Sequence, residues 1–266
     1  MVFMPPMSGA NVMSDEACFL FTIKGESTLI GPQQQVPIQT NEGVVMKCGT
    51  YLNRWAKSKD SEPCEAIAVH FGRQHLKAIF KDELPEFLTR QSTQPRVCIQ
   101  KVQLDAMLNN YIQSLLFYFE NPSLVNDELL MLKVKELILL LAKTENAQQI
   151  YGLLQGLFDP VQFTFKEIVR NNLYQGLTLD EWALLTGMSI STFKRKFTEV
   201  FGESPGRYVR TKRLERAAEL LTTTQQRVSD IAYQCGFTDM PHFSKSFLQK
   251  FGCNATAYRS QNLRQE

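Results

Sequence analysis

Two stretches near the C-terminal end repeat one pattern of apolar and polar positions. Leu177 to Gly202 reads L-T-L-D-E-W-A-L-L-T-G-M-S-I-S-T-F-K-R-K-F-T-E-V-F-G, and Val228 to Gly252 reads V-S-D-I-A-Y-Q-C-G-F-T-D-M-P-H-F-S-K-S-F-L-Q-K-F-G. Ala183 and Gly187 recur 49 residues on, as Ala232 and Gly236. Phe193, Phe197, Phe201 and Gly202 recur 50 residues on, as Phe243, Phe247, Phe251 and Gly252. The change of register falls between the glycine and the first Phe, where a turn absorbs it. A unit present twice reads as a duplicated supersecondary element and not as a solenoid.

Each unit predicts helix, tight turn, helix. In the first, Thr178 and Glu181 have capping-box spacing, and Leu179, Trp182, Ala183 and Leu185 supply an apolar side. Gly187 ends that helix by taking a positive φ at little steric cost. Ser189 suits the N-cap of a second helix, whose Phe193, Phe197 and Phe201 fall at i, i+4 and i+8. Ser191, Lys194, Arg195 and Thr198 then project from the other side. In the second unit Phe243, Phe247 and Phe251 make the stripe, and His242, Lys245, Ser246 and Gln249 the outward side. An aromatic stripe that docks a helix and a polar face left free is the helix-turn-helix plan for entering a major groove.

Between the units, Pro205 to Leu221 predicts a longer helix, with Ser204 as its cap and Leu214, Ala217, Ala218 and Leu221 as its apolar stripe. At 1.5 Å per residue it spans ~25 Å, a stiff spacer for two recognition helices. Of its basic residues Arg207, Arg210, Lys212, Arg213 and Arg216, most read as a solvated face paired with Glu215 and Glu219. Arg210 and Lys212 are the phosphate-contact candidates.

The first half has a different rhythm. Cys18–Ile23, Ser27–Ile30, Val36–Ile38, Val44–Cys48, Tyr51–Trp55 and Ala66–Phe71 read as short strands between turn signals, the set of a small barrel or sandwich. From Arg73 onward the pattern turns helical. Leu104 to Phe119 keeps helical spacing for four turns, and Asp127 to Lys143 is apolar round much of its circumference, so more than one side needs a cover. That cover is the strands and a neighbouring helix, or in addition a second protomer. Ile150 to Leu157 predicts a further short helix, Phe158-Asp159-Pro160 a linker, and Phe163 to Leu173 the first helix of the second half. The fold class is therefore α+β in two domains. Residues 1–160 are β-rich over 15–72 and helical over 73–158; residues 161–266 are all-α, with units at 177–202 and 228–252.

Charge sharpens this division. Residues 1–160 carry 14 Lys/Arg against 17 Asp/Glu, whereas residues 161–266 carry 15 against 10, so the basic excess lies with the repeated units, as phosphate binding requires. The N-terminus lacks the basic and apolar regions of a signal peptide. The apolar run Leu129 to Ala142 is broken by Lys133, Lys135 and Glu136 and is shorter than the ~20 residues of a membrane crossing. The six cysteines show no metal-ligand spacing, which predicts buried thiols in a reducing cytoplasm, and no cofactor or metal.

Residues 165 to 260 resemble the paired helix-turn-helix DNA-binding domain of AraC/XylS-type transcription regulators. The two units, Gly202 to Leu214 (G-E-S-P-G-R-Y-V-R-T-K-R-L), and Gly236, Phe237, Phe243, Phe247, Phe251, Gly252, Tyr258 and Arg259 carry the likeness. Ala255 stands where the family usually has proline, which weakens one terminal turn. Met240-Pro241-His242 is unusual at the start of a recognition helix and bears on its base contacts. The turn E-G-V-V-M-K-C-G-T-Y is similar to one in the cupin-like sensor half of these regulators, although only His70 and His75 are present as metal ligands there. The resemblance implies a non-enzymatic regulator of double-stranded promoter DNA, more often an activator that touches RNA polymerase. It also implies a homodimer; what controls the N-terminal half, a small-molecule effector, a protein partner or dimerisation itself, stays open. It matches Ser191, Thr192, Lys194 and Arg195 to the first contact face, and His242, Ser244 and Lys245 to the second. Two rival classes are an interaction adaptor with weakened DNA binding and a thiol-based DNA-repair regulator, for which Cys48 beside Lys47 is the nearest nucleophile.

Overall fold

The computed structural model describes residues 2–3, 8–56, 64–81, 85, 97–155, 157 and 163–262. The chain divides into two units, Met1–Phe163 and Thr164–Glu266. Phe158-Asp159-Pro160, the expected linker, lies outside the described residues.

In the first unit one antiparallel sheet runs in the order β1-β6-β2-β5-β3-β4, with β7 also on β5. The strands are β1 (Val2–Phe3), β2 (Ser8–Lys24), β3 (Ser27–Ile30), β4 (Gln35–Ile38), β5 (Gly43–Trp55), β6 (Cys64–Gly72) and β7 (Ile99–Val102). Two of the expected short strands, Val44–Cys48 and Tyr51–Trp55, are halves of β5. That strand lies beside β2 along its length, while its other edge takes β7 on residues 43–46 and β3 on residues 52–55. Between the halves sits Gly49 with φ 153°, a conformation that side chains with a Cβ rarely adopt. The sheet curls, and among the described residues no ladder joins β1 to β4, so the fold is sandwich-like and not a closed barrel. Strand β7 also corrects the reading that everything after Arg73 is helical.

Both faces of the sheet are covered, which is why β2 reads as a nearly continuous apolar run. Ala17, Phe19 and Phe21 face a core shared with helices, whereas Cys18 and Leu20 join Leu29, Ile38, Val44, Met46, Tyr51 and Trp55 inside the curl. The helices are α1 (Arg73–Phe80), α2 (Ala106–Glu120), α3 (Asp127–Leu141) and α4 (Ala147–Gln155). Asp105 and Asn126 cap α2 and α3 through the backbone N–H groups of Leu108 and Leu129. Leu108, Tyr111, Ile112 and Leu115 of α2 and Leu137, Ile138 and Leu141 of α3 enter the core. The all-round apolar character of α3 is covered on one side only. Leu132 is 57 % exposed, and Leu130, Leu139, Met107, Phe117, Phe119 and Leu124 also face solvent. Met107, Leu132, Leu139 and Leu140 line a surface groove of about 380 Å³.

The second unit is helical throughout its described residues. Its elements are α5 (Phe165–Asn171), α6 (Leu179–Leu185), α7 (Ile190–Phe201), α8 (Pro205–Thr223), α9 (Val228–Gln234), α10 (Met240–Phe251) and α11 (Ala255–Asn262). The spacer α8 is one half-turn longer than its apolar stripe suggests, ~28 Å at 1.5 Å per residue.

Candidate nucleic-acid interface

The two turns are built alike. After α6, the Gly187 N–H donates to the Leu184 carbonyl and the Met188 N–H to the Ala183 carbonyl. After α9, the Gly236 N–H donates to Tyr233 and the Phe237 N–H to Ala232. Both pairs form the Schellman cap, and both glycines take a positive φ, 65° and 85°. The next helix then starts on a capping side chain. Ser189 accepts from the Thr192 N–H at 3.3 Å, and Asp239 from the His242 N–H at 2.7 Å. Gly187 is two residues before its cap and Gly236 three, so the register change sits within this turn.

The Phe stripes dock α7 and α10. Phe193, Phe197, Phe243 and Phe247 are fully buried. In the first unit Trp182 stacks on Phe193, Phe165 packs on Phe193 and Phe197, and Tyr208 meets Phe201 with ring centroids 4.6 Å apart. In the second, Phe237 meets Phe243 edge-on at 5.1 Å, and Tyr258 meets Phe251 at 5.1 Å. Each recognition helix is thus held by interlocking rings, and each buried Phe removes enough apolar area from water to fix which face points out.

On that outer face of α7, Ser191, Lys194 and Arg195 are exposed and Thr192 is half-buried. The Ser189 hydroxyl donates to Thr192 Oγ1 at 2.9 Å, so Thr192 belongs partly to the cap. On α10, His242, Ser244 and Lys245 are exposed, and the His242 ring leans on Phe237 at 5.8 Å. Ser246, expected outside, is only 6 % exposed; at i+3 from Phe243 and i−1 from Phe247 it falls within the docked arc. The side chains of Lys194, Arg195, Lys245 and Arg210 have no hydrogen bond or ion pair within the described residues. Pro241 lies in the first turn of α10, where its missing N–H breaks no helical bond. In α11, which begins at Ala255 with no proline, Asn254 Oδ1 accepts from the Ala257 N–H at 2.8 Å and so caps the first turn. Ser204 holds the N-cap position of α8 but makes no side-chain cap bond.

Along α8 the basic residues fall into three kinds. Arg210 is free and exposed. Lys212, Arg216 and Arg207 pair with Glu215, Glu219 and Glu203 at 2.9, 2.7 and 3.4 Å. Glu215 also takes Lys250 of α10 at 2.9 Å, and these two ammonium groups hold its carboxyl below the usual range. Arg213 departs from the solvated-face reading. Its Nε donates to the Leu173 carbonyl at 2.7 Å and its Nη1 to the Gly236 carbonyl at 2.8 Å. Arg259 of α11 similarly bonds the Leu221 and Gln226 carbonyls. Carbonyl anchors so distant in sequence leave no periodic trace. Between the two helix-turn-helix units, within residues 164–266, lies a cleft of about 420 Å³, with Thr178, Trp182, Arg210, Arg213, Thr238 and His242 in its wall.

Burial pushes the thiols of Cys18 and Cys235 up to about 12 and about 11, which keeps them protonated and poorly nucleophilic at neutral pH. The Cys48 side chain lies outside those described. His70 sits 3.4 Å from Glu16, and His75 Nδ1 accepts from the Gly72 N–H, so each has a local structural role. Among the described residues, no three His, Cys, Asp or Glu side chains converge on a metal site, and no helix is long and apolar enough to cross a membrane.

Two family models match the chain, the ExsA N-terminal regulatory domain over residues 17–153 and a helix-turn-helix domain over residues 182–261. The virulence regulon transcriptional activator VirF of Yersinia enterocolitica is 25% identical over 240 residues, covering 89% of this chain and 86% of that protein. The thermoregulatory protein LcrF of Yersinia pestis is 27% identical over the same shares. The HTH-type transcriptional regulator ExsA of Pseudomonas aeruginosa is 29% identical over 134 residues, 48% of this chain and 46% of that one. The chain belongs to the AraC/XylS family of DNA-binding transcription regulators, with an N-terminal regulatory half of the ExsA type.

Proposed function

We propose that one protomer reads two adjacent boxes on successive major-groove turns, one with α7 and one with α10, and so switches on transcription from a promoter. The observation that carries this reading is the pair of outward faces opposite the buried Phe stripes, with Lys194, Arg195 and Lys245 unpaired on them. Arg195 suits the O6 and N7 acceptors of a guanine through its fork, with Lys194 beside it and Ser191 and Thr192 making shorter contacts. His242, Ser244 and Lys245 read the second box. Arg210 serves a phosphate, and Lys212 does so by exchanging Glu215 for a phosphate oxygen.

The N-terminal half, Met1–Phe163, governs this activity as the regulatory and dimerisation domain. The apolar face of α2 and α3, with Met107, Leu132 and Leu139, supports a homodimer contact, since a bare patch of this kind on a soluble unit marks an interaction surface. Control enters there through a small molecule or a protein effector. Activation is the sign that the name of the Yersinia enterocolitica relative, a transcriptional activator, supports, and RNA polymerase is the expected partner. The protein acts in the cytoplasm and performs no chemistry of its own.

Selection of duplexes from random DNA by the full-length protein at near-physiological salt tests the reading. One asymmetric motif, with two boxes about a helical turn apart, is expected. Failure of both the full chain and residues 161–266 to enrich any motif would overturn it.

A further inference from the structure

We propose that Arg213 is a positioning residue that fixes the phase between the two recognition helices. The stripes of the two helix-turn-helix units dock on different stretches of α8, Phe197 and Phe201 on Tyr208 near its start, Phe243 and Phe247 in one core with Leu214 to Leu221 towards its end. The guanidinium adds a direct tie between the two, which sets the angle between them. From the middle of α8 it binds the Leu173 carbonyl, in the segment that leads into the first unit, and the Gly236 carbonyl, in the turn of the second. The two carbonyls are 63 residues apart, and one rigid fork holds both.

The surrounding backbone is shaped for this contact. A Cβ on Gly236 would lie 2.6 Å from the Tyr174 carbonyl oxygen and 3.0 Å from Arg213 Cζ. A Cβ on Gly176 would lie 3.7 Å from the Gly236 oxygen, an ordinary contact distance. The turn of the second unit is therefore seated against the entry to the first, with no room for a side chain at Gly236. By contrast a Cβ on Gly187, its counterpart, meets nothing within 4 Å. The clasp belongs to one turn only, which is what a device joining two copies requires. Arg213 touches neither outward face; it acts on DNA through the angle at which α7 and α10 are presented.

This inference rests on the two-box reading, and one set of measurements separates the two. Fluorescent duplexes carrying the selected site are compared with duplexes that keep one box, and with duplexes that have one or about five base pairs inserted between the boxes. Full-length wild type is expected to bind the native spacing best and to lose affinity with each insertion. Arg213→Lys keeps the charge but cannot span both carbonyls. It is expected to weaken binding to the native two-box site about tenfold, because a linked second box supplies avidity only where geometry permits simultaneous contact. Its binding to single-box duplexes is expected to stay within about twofold, and its spacing preference to flatten. Arg213→Met, tested alongside, is expected to behave likewise. Equal losses on one-box and two-box duplexes, or an unchanged spacing profile, would overturn the positioning role. A wild-type protein indifferent to spacing would instead overturn the two-box reading and the clasp with it.

Discussion

The two helix-turn-helix units share their Schellman turns, their glycine geometry and their buried rings, yet they are not interchangeable. The first presents Lys194 and Arg195 side by side on an open helix face, and its turn stands clear of other backbone. The second has one residue more in the turn. That residue lets Phe237 reach Phe243 while Gly236 is pressed against Tyr174, and its outward face carries Pro241, His242, Ser244 and Lys245. Lys250 further ties α10 to α8 through Glu215 and the Thr211 carbonyl, where the matching position of the first unit is Val200. Duplication conserved the means of holding a helix, and divergence concentrated on what the helix shows and how its turn is seated.

The largest expected effects test the shared part. Phe197→Ala and Phe247→Ala each empty a fully buried ring site, and each should destabilise the protein by about 3–5 kcal/mol in chemical unfolding. A difference between them of more than about half that value would break the equivalence of the two cores. Next come the glycines. Gly187→Ala should cost about 1–2 kcal/mol, for the positive φ alone. Gly236→Ala adds backbone overlap and should cost on the order of 3 kcal/mol or more. Equal midpoints for the two variants would contradict the seating described for the second turn.

Reading faces come third. Arg195→Ala should cost about 1–3 kcal/mol of binding and relax preference at one position of the first box. Lys245→Ala should cost less, about 1 kcal/mol, because an ammonium lacks the bidentate fork. Titration against single-base variants of the selected site measures both, and unaltered preference in Arg195→Ala would remove α7 from base reading. The smallest effect is the charge tie found in the second unit alone. Glu215→Gln should cost about 0.5 kcal/mol, as exposed pairs do. The folded carboxyl lies below its ordinary 4.5, held there by Lys212 and then by Lys250. The stabilisation is therefore fully present above that value and is lost as pH falls through the depressed one. Midpoints of wild type and Glu215→Gln should converge in that acid range and separate above it.

Most of the second unit was legible because its signals are local. Phe193, Phe197 and Phe201 announce their helix by spacing, and Gly187 and Gly236 announce the turns. Even the register change is placed by the spacing of Gly187 and Gly236 from Phe193 and Phe243. Ser246 lies inside, and a small polar residue beside Phe247 carries no sign of the arc it occupies; Ser204 takes the expected N-cap position, but position does not guarantee a cap bond. Arg213 was hidden for a deeper reason: its partners are backbone carbonyls, which every residue has. In the first half, β5 looked like two strands because Gly49 resembles a turn signal, although long-range pairing with β2 carries the strand through it. In β7 two polar residues, Gln100 and Lys101, stand between Ile99 and Val102, so no alternation marks it as a strand, and its pairing with β5 is long-range. Of the contact face, residue types and exposure were legible; which cations were already paired was not, as Lys212 with Glu215 illustrates.

The spacer helix α8 has one further consequence. It joins two unlike readers in a fixed order along one chain, so no twofold axis relates them. Proteins that pair identical readers through such an axis recognise palindromes and look the same from either side of the site. A protomer built around α8 instead reads an ordered phrase, first box then second, and reversing the phrase gives a different sequence. Bound to DNA, such a molecule is an arrow, its direction fixed by the order of its helices.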